Sequence, residues 1–219
     1  SGIDRFTVAN RGAGFEVEER VPFLEGLCLT DIDWGYDGKL YMSDFVTGWV
    51  KPESGNVFTL TGTNTANRAE QDRVRSWFAQ GFDVMPAQEL AGLLGYADQR
   101  VRQRAQFALA QKPLSEAARL FVTATAVGKP LLVRLHGLWG LGQISVKEPK
   151  HLARVAALLG DAELEVRANA ARVLGNHPAQ QGPYRDALKA LLHDASLRVV
   201  SLAAIALSNA GGSDLVAQG

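Results

Sequence analysis

The sequence predicts an α+β protein, mainly α, in which a short antiparallel β-sheet precedes an array of paired helices. Three observations carry this prediction. Apolar and polar residues alternate over the first 60 positions, which is typical of half-buried strands. From residue 86 onward, one pattern of apolar and small residues recurs every 32–33 positions. Between the two parts the composition changes from Gly, Thr, Val, Phe and Asp to Ala, Leu and Arg.

The chain has 219 residues with an ordinary globular composition, and its 23 basic side chains balance its 23 acidic ones. This balance argues against a nucleic-acid partner bound through bulk attraction to phosphates. No apolar run approaches the ~20 residues that a membrane span requires, so no span is expected. The single cysteine, Cys28, excludes an intramolecular disulfide and a Cys-x-x-Cys-His haem motif in this sequence.

Charge divides the chain near the same point as composition. Residues 1–67 carry 5 basic and 10 acidic side chains, a net of −5, whereas residues 68–219 carry 18 and 13, a net of +5. A polar run over 61–67 coincides with the change. We therefore predict a β-sheet over 1–62, a linker and capping helix over 63–85, and helical repeats over 86–219.

Five strands are expected to form one antiparallel sheet. The pair Asp37-Gly38 lies between two apolar-rich runs and favours a tight hairpin, because glycine tolerates the positive φ of such turns. A sheet of this size has an open edge and should pack against something. The strands are predicted near 6–9, 15–23, 28–34, 39–45 and 56–60.

Four copies of one pattern define the helical part. In each copy a valine is followed by a small residue four positions later and by a leucine eight positions later. These leucines are Leu109, Leu141, Leu174 and Leu207. A helix opening with a proline precedes each copy, where the missing N–H would be unpaired anyway; the prolines are Pro86, Pro113, Pro149 and Pro183. The copies resemble short HEAT-like repeats, which predicts an α-solenoid of about four repeats with a truncated fifth.

The first part carries a second resemblance, in the motif Asp31-x-Asp33-x-Gly35-x-Asp37-Gly38-x-Leu40-Tyr41-x-Ser43-Asp44. This motif resembles a blade of the six-bladed propellers in sorbosone- and glucose-dehydrogenase-like proteins. A propeller needs several blades, and only about one is present here. The resemblance therefore implies the last blade of a longer protein.

The blade and the repeats together resemble the membrane-bound dehydrogenases that join such a propeller, HEAT-like repeats and a C-terminal c-type cytochrome domain. The resemblance implies sugar or alcohol oxidation in the propeller, with a quinone, Ca²⁺ or haem c in the whole protein. It also implies a periplasmic or exported location. Because most of the propeller and the haem motif are missing, we expect this chain to hold no cofactor and not to catalyse the family's reaction alone.

These features predict a non-catalytic scaffold that links a dehydrogenase propeller to an electron-accepting domain. Its partner would be another protein or a neighbouring domain of the same polypeptide. Two alternatives stay open. The chain could belong to a quinone- or haem-linked sugar or alcohol dehydrogenase whose active site lies in missing regions, or it could be a stand-alone HEAT-like adaptor.

Asp31 and Asp33 are the candidate metal ligands, since carboxylates offer the hard oxygens that Ca²⁺ prefers. The simpler interpretation is that they cap strand ends or bind backbone amides. We prefer it, because one blade supplies too few ligands for the ion.

Candidate partner-binding residues lie in the repeats. Three arginines recur at one position and form either a cationic stripe for an acidic partner or phosphate, or a structural ladder, which we favour: Arg102, Arg134 and Arg167. The ladder would pair with helix C-terminal carbonyls or with acidic residues such as Asp98, Glu163 and Asp194.

His136 and Trp139 lie three residues apart on one predicted helix, among three glycines. They indicate either a small cleft for a ligand or partner side chain, or a tryptophan that fills the layer between repeats. We favour the second, with the glycines making room for the indole, because glycine in a helix costs ~1 kcal/mol relative to alanine and so implies a packing purpose. The remaining histidines, His151, His177 and His193, are expected to be solvated.

Overall fold

The computed structural model describes residues 2–45, 54–62 and 68–211. Within these ranges the protein is α+β and mainly helical, with two small antiparallel sheets. The chain divides into two compact units. The first holds the strands and one helix and extends to Gly81, and the second holds the helices from Phe82 onward. The truncated fifth repeat predicted after Asn209 falls mostly outside the described residues.

Five strands lie where the alternation predicts them. β1 (Gly2–Arg11) and β2 (Gly14–Glu25) form a two-stranded sheet, while β3 (Leu29–Trp34), β4 (Leu40–Phe45) and β5 (Gly55–Leu60) form a three-stranded sheet in that order. The expectation of one sheet was therefore wrong. The break follows β2, where Gly26 adopts a φ of 82° and turns the chain before β3 begins.

The hairpin between β3 and β4 is the turn that the Asp-Gly pair predicts. Gly38 has a φ of 78°, and its N–H donates to the carbonyl of Gly35 at 3.1 Å. Asp37 holds the turn through both carboxylate oxygens, accepting from the N–H of Lys39 at 3.2 Å and from the hydroxyl of Tyr41 at 3.0 Å. Asp37 is thus a turn residue that also ties the turn to β4.

One helix, α1 (Arg68–Gln80), belongs to the first unit. It lies in the segment predicted to hold a linker and a capping helix, of which residues 63–67 lie outside the described ranges. Val74 is its buried residue, and the ring of Phe78 stacks on Tyr36 with centroids 4.2 Å apart. The helix therefore packs on the β3–β4 hairpin rather than standing apart as a linker.

In the described part of the second unit, the helices come in four successive pairs. The members of each pair pack together: α2 (Ala87–Gly92) with α3 (Gln99–Ala110), α4 (Leu114–Ala124) with α5 (Leu131–Ser145), α6 (Leu152–Ala156) with α7 (Leu164–Gly175), and α8 (Arg185–Ala190) with α9 (Leu197–Asn209). Short 3₁₀ turns extend α2, α6 and α8. Among the helices of residues 68–211, none combines the length and the apolarity that a bilayer crossing requires.

The second helix of each pair packs on the second helix of the next. α3 contacts α5, α5 contacts α7, and α7 contacts α9. Their first residues lie 32, 33 and 33 positions apart, which is the interval of the sequence pattern. Residues at corresponding positions share one environment, since the recurring leucines are all fully buried: Leu109, Leu141, Leu174 and Leu207.

The glycines of α5 allow its neighbours to come close. A Cβ at Gly137 would lie 2.8 Å from the Cβ of Ala124, and one at Gly140 would overlap the ring of Phe121, both on α4. On the other side, a Cβ at Gly142 would lie 2.7 Å from a methyl group of Val173 on α7. The expectation that these glycines make room for Trp139 was therefore wrong, because they make room for α4 and α7.

Replacing Leu174 tests the packing of α7 on α5 and α9. Leu174→Ala is expected to lower the free energy of unfolding by about 2–5 kcal/mol, because it leaves a cavity at a fully buried site. Urea denaturation measures this loss, and amide exchange should quicken in α5 and α9 as well as in α7. Leu132→Ala is the control on α5, since Leu132 is 45% exposed. An unchanged midpoint for Leu174→Ala would contradict this packing.

Candidate functional site

The recurring arginines lie on the second helices, and each reaches back to the loop before its own helix. Nη1 of Arg102 donates to the carbonyls of Tyr96 and Ala97 at 2.7 and 2.8 Å. Nη1 of Arg167 donates to the two equivalent carbonyls, of Asp161 and Ala162, at 2.8 and 3.0 Å. These bonds tie the start of each helix to the loop that precedes it.

Two of these arginines also reach the following helix pair. Arg134 forms a bidentate ion pair with Asp161, and Arg167 forms one with Asp194. In both cases the carboxylate lies 27 residues beyond the arginine. Each aspartate also accepts a backbone N–H two residues later, at 2.9 Å for Asp161 and 2.8 Å for Asp194. We call this paired contact the arginine–aspartate clamp.

The positive charge of each clamp arginine is balanced by an aspartate of the same compact unit. The hydrogen bonds from Arg167 hold the pKa of Asp194 below its ordinary value against the opposing effect of burial. Of the acidic residues predicted to pair with the ladder, Asp194 does so, whereas Asp98 pairs with Arg100. The guanidinium groups of Arg102, Arg134 and Arg167 are therefore engaged within the protein.

Arg102 differs from the other two, because its Nε donates to a histidine. The acceptor is Nε2 of His136, at 3.3 Å. The Nδ1–H of His136 then donates to Oε1 of Gln106 at 2.7 Å, and Nε2 of Gln106 donates to Oε1 of Gln143 at 2.8 Å. These hydrogen bonds fix the tautomer of His136, since the ring nitrogen that accepts from Arg102 cannot carry a proton. We call these four residues the polar relay.

The relay needs His136 to be neutral. Burial, helped by the positive charge of Arg102, lowers its pKa to about 4. The imidazole is therefore uncharged at neutral pH and keeps Nε2 available as an acceptor. Its position on a helix was expected from the sequence, but its burial and its partners on α3 were not.

Trp139, one turn after His136, is held on several sides. The two rings meet edge to face, with centroids 4.9 Å apart. The indole Nε1 donates to Oδ1 of Asn169 on α7 at 3.1 Å, and the guanidinium carbon of Arg172 lies 5.6 Å from the ring centroid. This distance is within the range of a cation–π contact. The indole is thus fixed by groups from both α5 and α7.

An open cleft of about 430 Å³ lies between the C-terminal ends of α5 and α7, with Trp139 in its wall. This volume is in the range typical of ligand sites. Among the described residues that line the cleft, none carries a carboxylate. Its polar groups come from Gln106, Gln143, Arg172, Asn176 and His177, and its other lining residues are Gly142, Val146 and Val173.

His177 is half-buried at this cleft, contrary to the expectation that it is solvated. Its Nε2 lies 3.1 Å from the carbonyl of Gly142 and donates to it. Burial lowers the pKa of His177, and the bond to Gly142 offsets only part of that effect. Positive charge in the cleft therefore comes from Arg172.

The candidate metal ligands lie on β3, with Asp31 paired to Ser43 and Asp33 paired to Tyr41 across the sheet. Their Oδ1 atoms accept from the N–H groups of Ile32 and Trp34 at 2.9 and 2.7 Å. Over residues 2–45, 54–62 and 68–211, no group of three or more His, Cys, Asp or Glu side chains is placed to hold a metal ion. These bonds to backbone amides fit the preferred interpretation of the two aspartates, and calcium binding stays untested.

Of the predicted partner-binding residues, Trp139 lines the cleft, and Arg102 and His136 belong to the polar relay. Sequence reasoning missed their neighbours, although the repeat interval points to them. Arg172 follows Trp139 by 33 positions, and Asn176 follows Gln143 by the same interval. Residues at corresponding positions of adjacent helices become neighbours when those helices pack side by side.

Comparisons with known proteins add little to this geometry. No family model matches the chain, and no curated protein matches it. One solved structure, described as that of an engineered protein, is 21% identical and has a TM-score of 0.40. The match covers 69% of this chain and 76% of the other. A similarity of this degree supports no conclusion about fold or function.

Removing the carboxylate of the clamp tests its energetic role. Asp194→Asn is expected to lower the free energy of unfolding at pH 7 by about 2–3 kcal/mol, because Arg167 loses its charged partner. The pKa of Asp194 is lowered on folding, so its contribution is present above about pH 4 and is lost as the pH falls through the folded value. The two proteins should converge in acid, as followed by urea denaturation.

The control for this variant is Asp186→Asn. Asp186 forms an exposed ion pair with Lys189 on α8, so its loss should change stability by no more than about 0.5 kcal/mol. An equal effect of both substitutions, or a loss from Asp194→Asn that does not depend on pH, would contradict the clamp.

The relay predicts a second pH dependence. The pKa of His136 is about 4 in the folded protein and near 6.5 when unfolded. Its neutral form therefore stabilises the fold above pH 6.5, and wild type should lose about 2 kcal/mol through this group between pH 7 and pH 5. His136→Gln should lack that part of the dependence. Parallel stability curves for the two proteins over this interval would show that His136 is not held neutral.

Proposed function

We propose that this chain is a non-catalytic interaction module whose helix pairs are HEAT-like repeats. The second helices α3, α5, α7 and α9 would then present one continuous surface to a protein partner. The three-stranded sheet of the first unit would be the last blade of a propeller, as the motif around Asp37 and Gly38 suggests.

One observation carries the proposal, namely the repetition of the arginine–aspartate clamp. The same bidentate contact joins α5 to the loop before α7 and α7 to the loop before α9. In a linear repeat protein each copy contacts only its neighbours, so stability comes from one interface used repeatedly. A clamp that recurs with the repeat interval is the kind of contact such an array needs.

The chemistry of the cleft favours binding over catalysis. Its amides, guanidinium and indole can recognise a ligand by hydrogen bonds, charge and stacking. The histidine of the relay has a pKa of about 4, which makes it a weak base at neutral pH, since efficient general bases have pKa values near the working pH. His136 therefore fits a positioning role.

We further propose that the module links a dehydrogenase propeller to an electron-accepting domain. This part rests on the resemblance of the blade motif and of the segment beginning at Pro86. In that setting the substrate would be a sugar or an alcohol, and any quinone, Ca²⁺ or haem c would be held by other parts of the polypeptide.

Two measurements test these proposals. The first is the intact mass of the protein from its native source, compared with the 23.6 kDa of this chain. A much larger mass with a haem absorbance band is expected for the linking role. A native mass equal to that of this chain would overturn the linking role and favour the stand-alone adaptor.

The second measurement is site-specific photo-crosslinking in the native source. A benzophenone amino acid at Val146, an exposed residue of the cleft, should form crosslinks to one segment of one protein or domain, identified by mass spectrometry. The matched control is Val127, which is 88% exposed and lies before α5. Crosslinks that are absent, or equally abundant from both positions, would contradict the interaction module.

A further inference from the structure

We propose that the cleft between α5 and α7 binds the carboxylate of a glutamate side chain presented by a protein partner. This inference rests on the proposed function and adds the chemistry that the partner must offer. Three properties of the cleft carry it: the sign of its charge, the direction of its hydrogen-bond donors, and its apolar walls.

Charge is the first property. Arg172 brings a guanidinium group to the cleft, and none of the described residues that line it carries a carboxylate. Within the described part of the chain, the contact found for this guanidinium is with the indole of Trp139. Clamp arginines such as Arg167, in contrast, are satisfied by aspartates. The cleft therefore holds a positive charge that an incoming anion can balance.

Donor direction is the second property. Because Gln106 donates to Oε1 of Gln143, the carbonyl end of the Gln143 amide is used inside the relay. Its amino group is the end left for a ligand at the cleft, and an amino group only donates. Together with the N–H groups of Arg172, this amino group supplies the cleft with donors for an incoming ligand. A carboxylate accepts at both oxygens and forms strong, charge-assisted hydrogen bonds with such donors.

The polar relay determines how the Gln143 amide is oriented, and this orientation follows from Arg102 at the other end of the relay. Arg102 can only donate, so His136 must accept at Nε2 and donate from Nδ1. Gln106 must then turn its carbonyl to the histidine and its amino group to Gln143. Reversing the amide of Gln143 would break this order. The buried side chains of α3 and α5 thus preset the surface for an acceptor ligand.

Apolar walls are the third property. Val146, Val173 and the indole of Trp139 line the cleft beside the polar groups. An aliphatic stem that ends in a carboxylate matches this combination, which is why a glutamate fits better than a phosphate. The cleft is open to solvent and does not enclose a ligand, so the carboxylate is best supplied by a side chain that projects from another protein surface.

A titration of the full ¹⁵N-labelled chain tests the inference. The probes are a capped tetrapeptide with one glutamate beside a leucine and the same peptide with glutamine in its place. The indole N–H signal of Trp139 reports occupancy. The glutamate peptide should bind about tenfold more tightly than the glutamine peptide, as expected for loss of a charge-assisted hydrogen bond. Added salt should reduce this preference.

Variants place the effect at the cleft. Arg172→Gln should abolish the preference for glutamate, and Arg172→Lys should keep part of it, because the charge remains while the planar fork is lost. Gln143→Met should weaken binding of the glutamate peptide by removing the amide donor. Arg119→Gln, on the exposed side of α4, is the matched control and should bind as wild type does.

Each outcome decides one part of the inference. Equal binding of the two peptides, or a preference that survives Arg172→Gln, would overturn the carboxylate assignment. Glutarate binding as tightly as the glutamate peptide would indicate a small-molecule site and overturn the protein partner. Specific crosslinks from Val146 without any preference for glutamate would overturn this inference while leaving the interaction module in place. If binding shows no preference for glutamate and Val146 gives no specific crosslinks, the proposal of an interaction module is overturned as well.

Discussion

The second unit depends on the arginine–aspartate clamp. An arginine near the start of the second helix of one pair binds an aspartate in the loop before the second helix of the next pair. The same carboxylate also accepts the backbone N–H two residues later. The charge is compensated where it is removed from water, which limits the cost of burying it. Because the contact joins successive helix pairs at fixed positions, it helps to set the spacing of α5, α7 and α9, and the buried leucines fill the layers between them.

The polar relay that leads to the candidate site begins at Arg102, where the aspartate of the clamp is missing. Asp161 lies six residues before Arg167, and the position six residues before Arg134 is Gly128, so Arg102 has no aspartate to hold. It donates instead to His136, and because a neutral imidazole accepts on one side and donates on the other, the hydrogen bonding continues through Gln106 to Gln143. One departure from the repeat thus turns a structural contact into a chain of polar groups that ends at the surface.

Sequence reasoning succeeded where one short-range rule decides the structure. The recurring pattern predicted the interval between the second helices, and the Asp-Gly pair predicted the β3–β4 turn, because both signals can be seen directly in the order of residues. It failed for the number of sheets, which depends on whether β2 and β3 pair, and for the glycines of α5, whose neighbours are Phe121 and Val173. Arg172 was missed because its contact with Trp139 exists only once α5 and α7 pack together.

The sequence register of the second helices also bears on the proposed binding site at α5 and α7. One position of the second helices carries four large side chains that are exposed or half-buried, and the next turn carries four amides. The first set is Phe107, Trp139, Arg172 and Ile205, and the second is Gln111, Gln143, Asn176 and Asn209. Neighbours in each set lie on adjacent helices, so the surface is an apolar stripe beside an amide ladder. Within the described stripe the positive charge lies at Arg172, which is where the proposed carboxylate would bind.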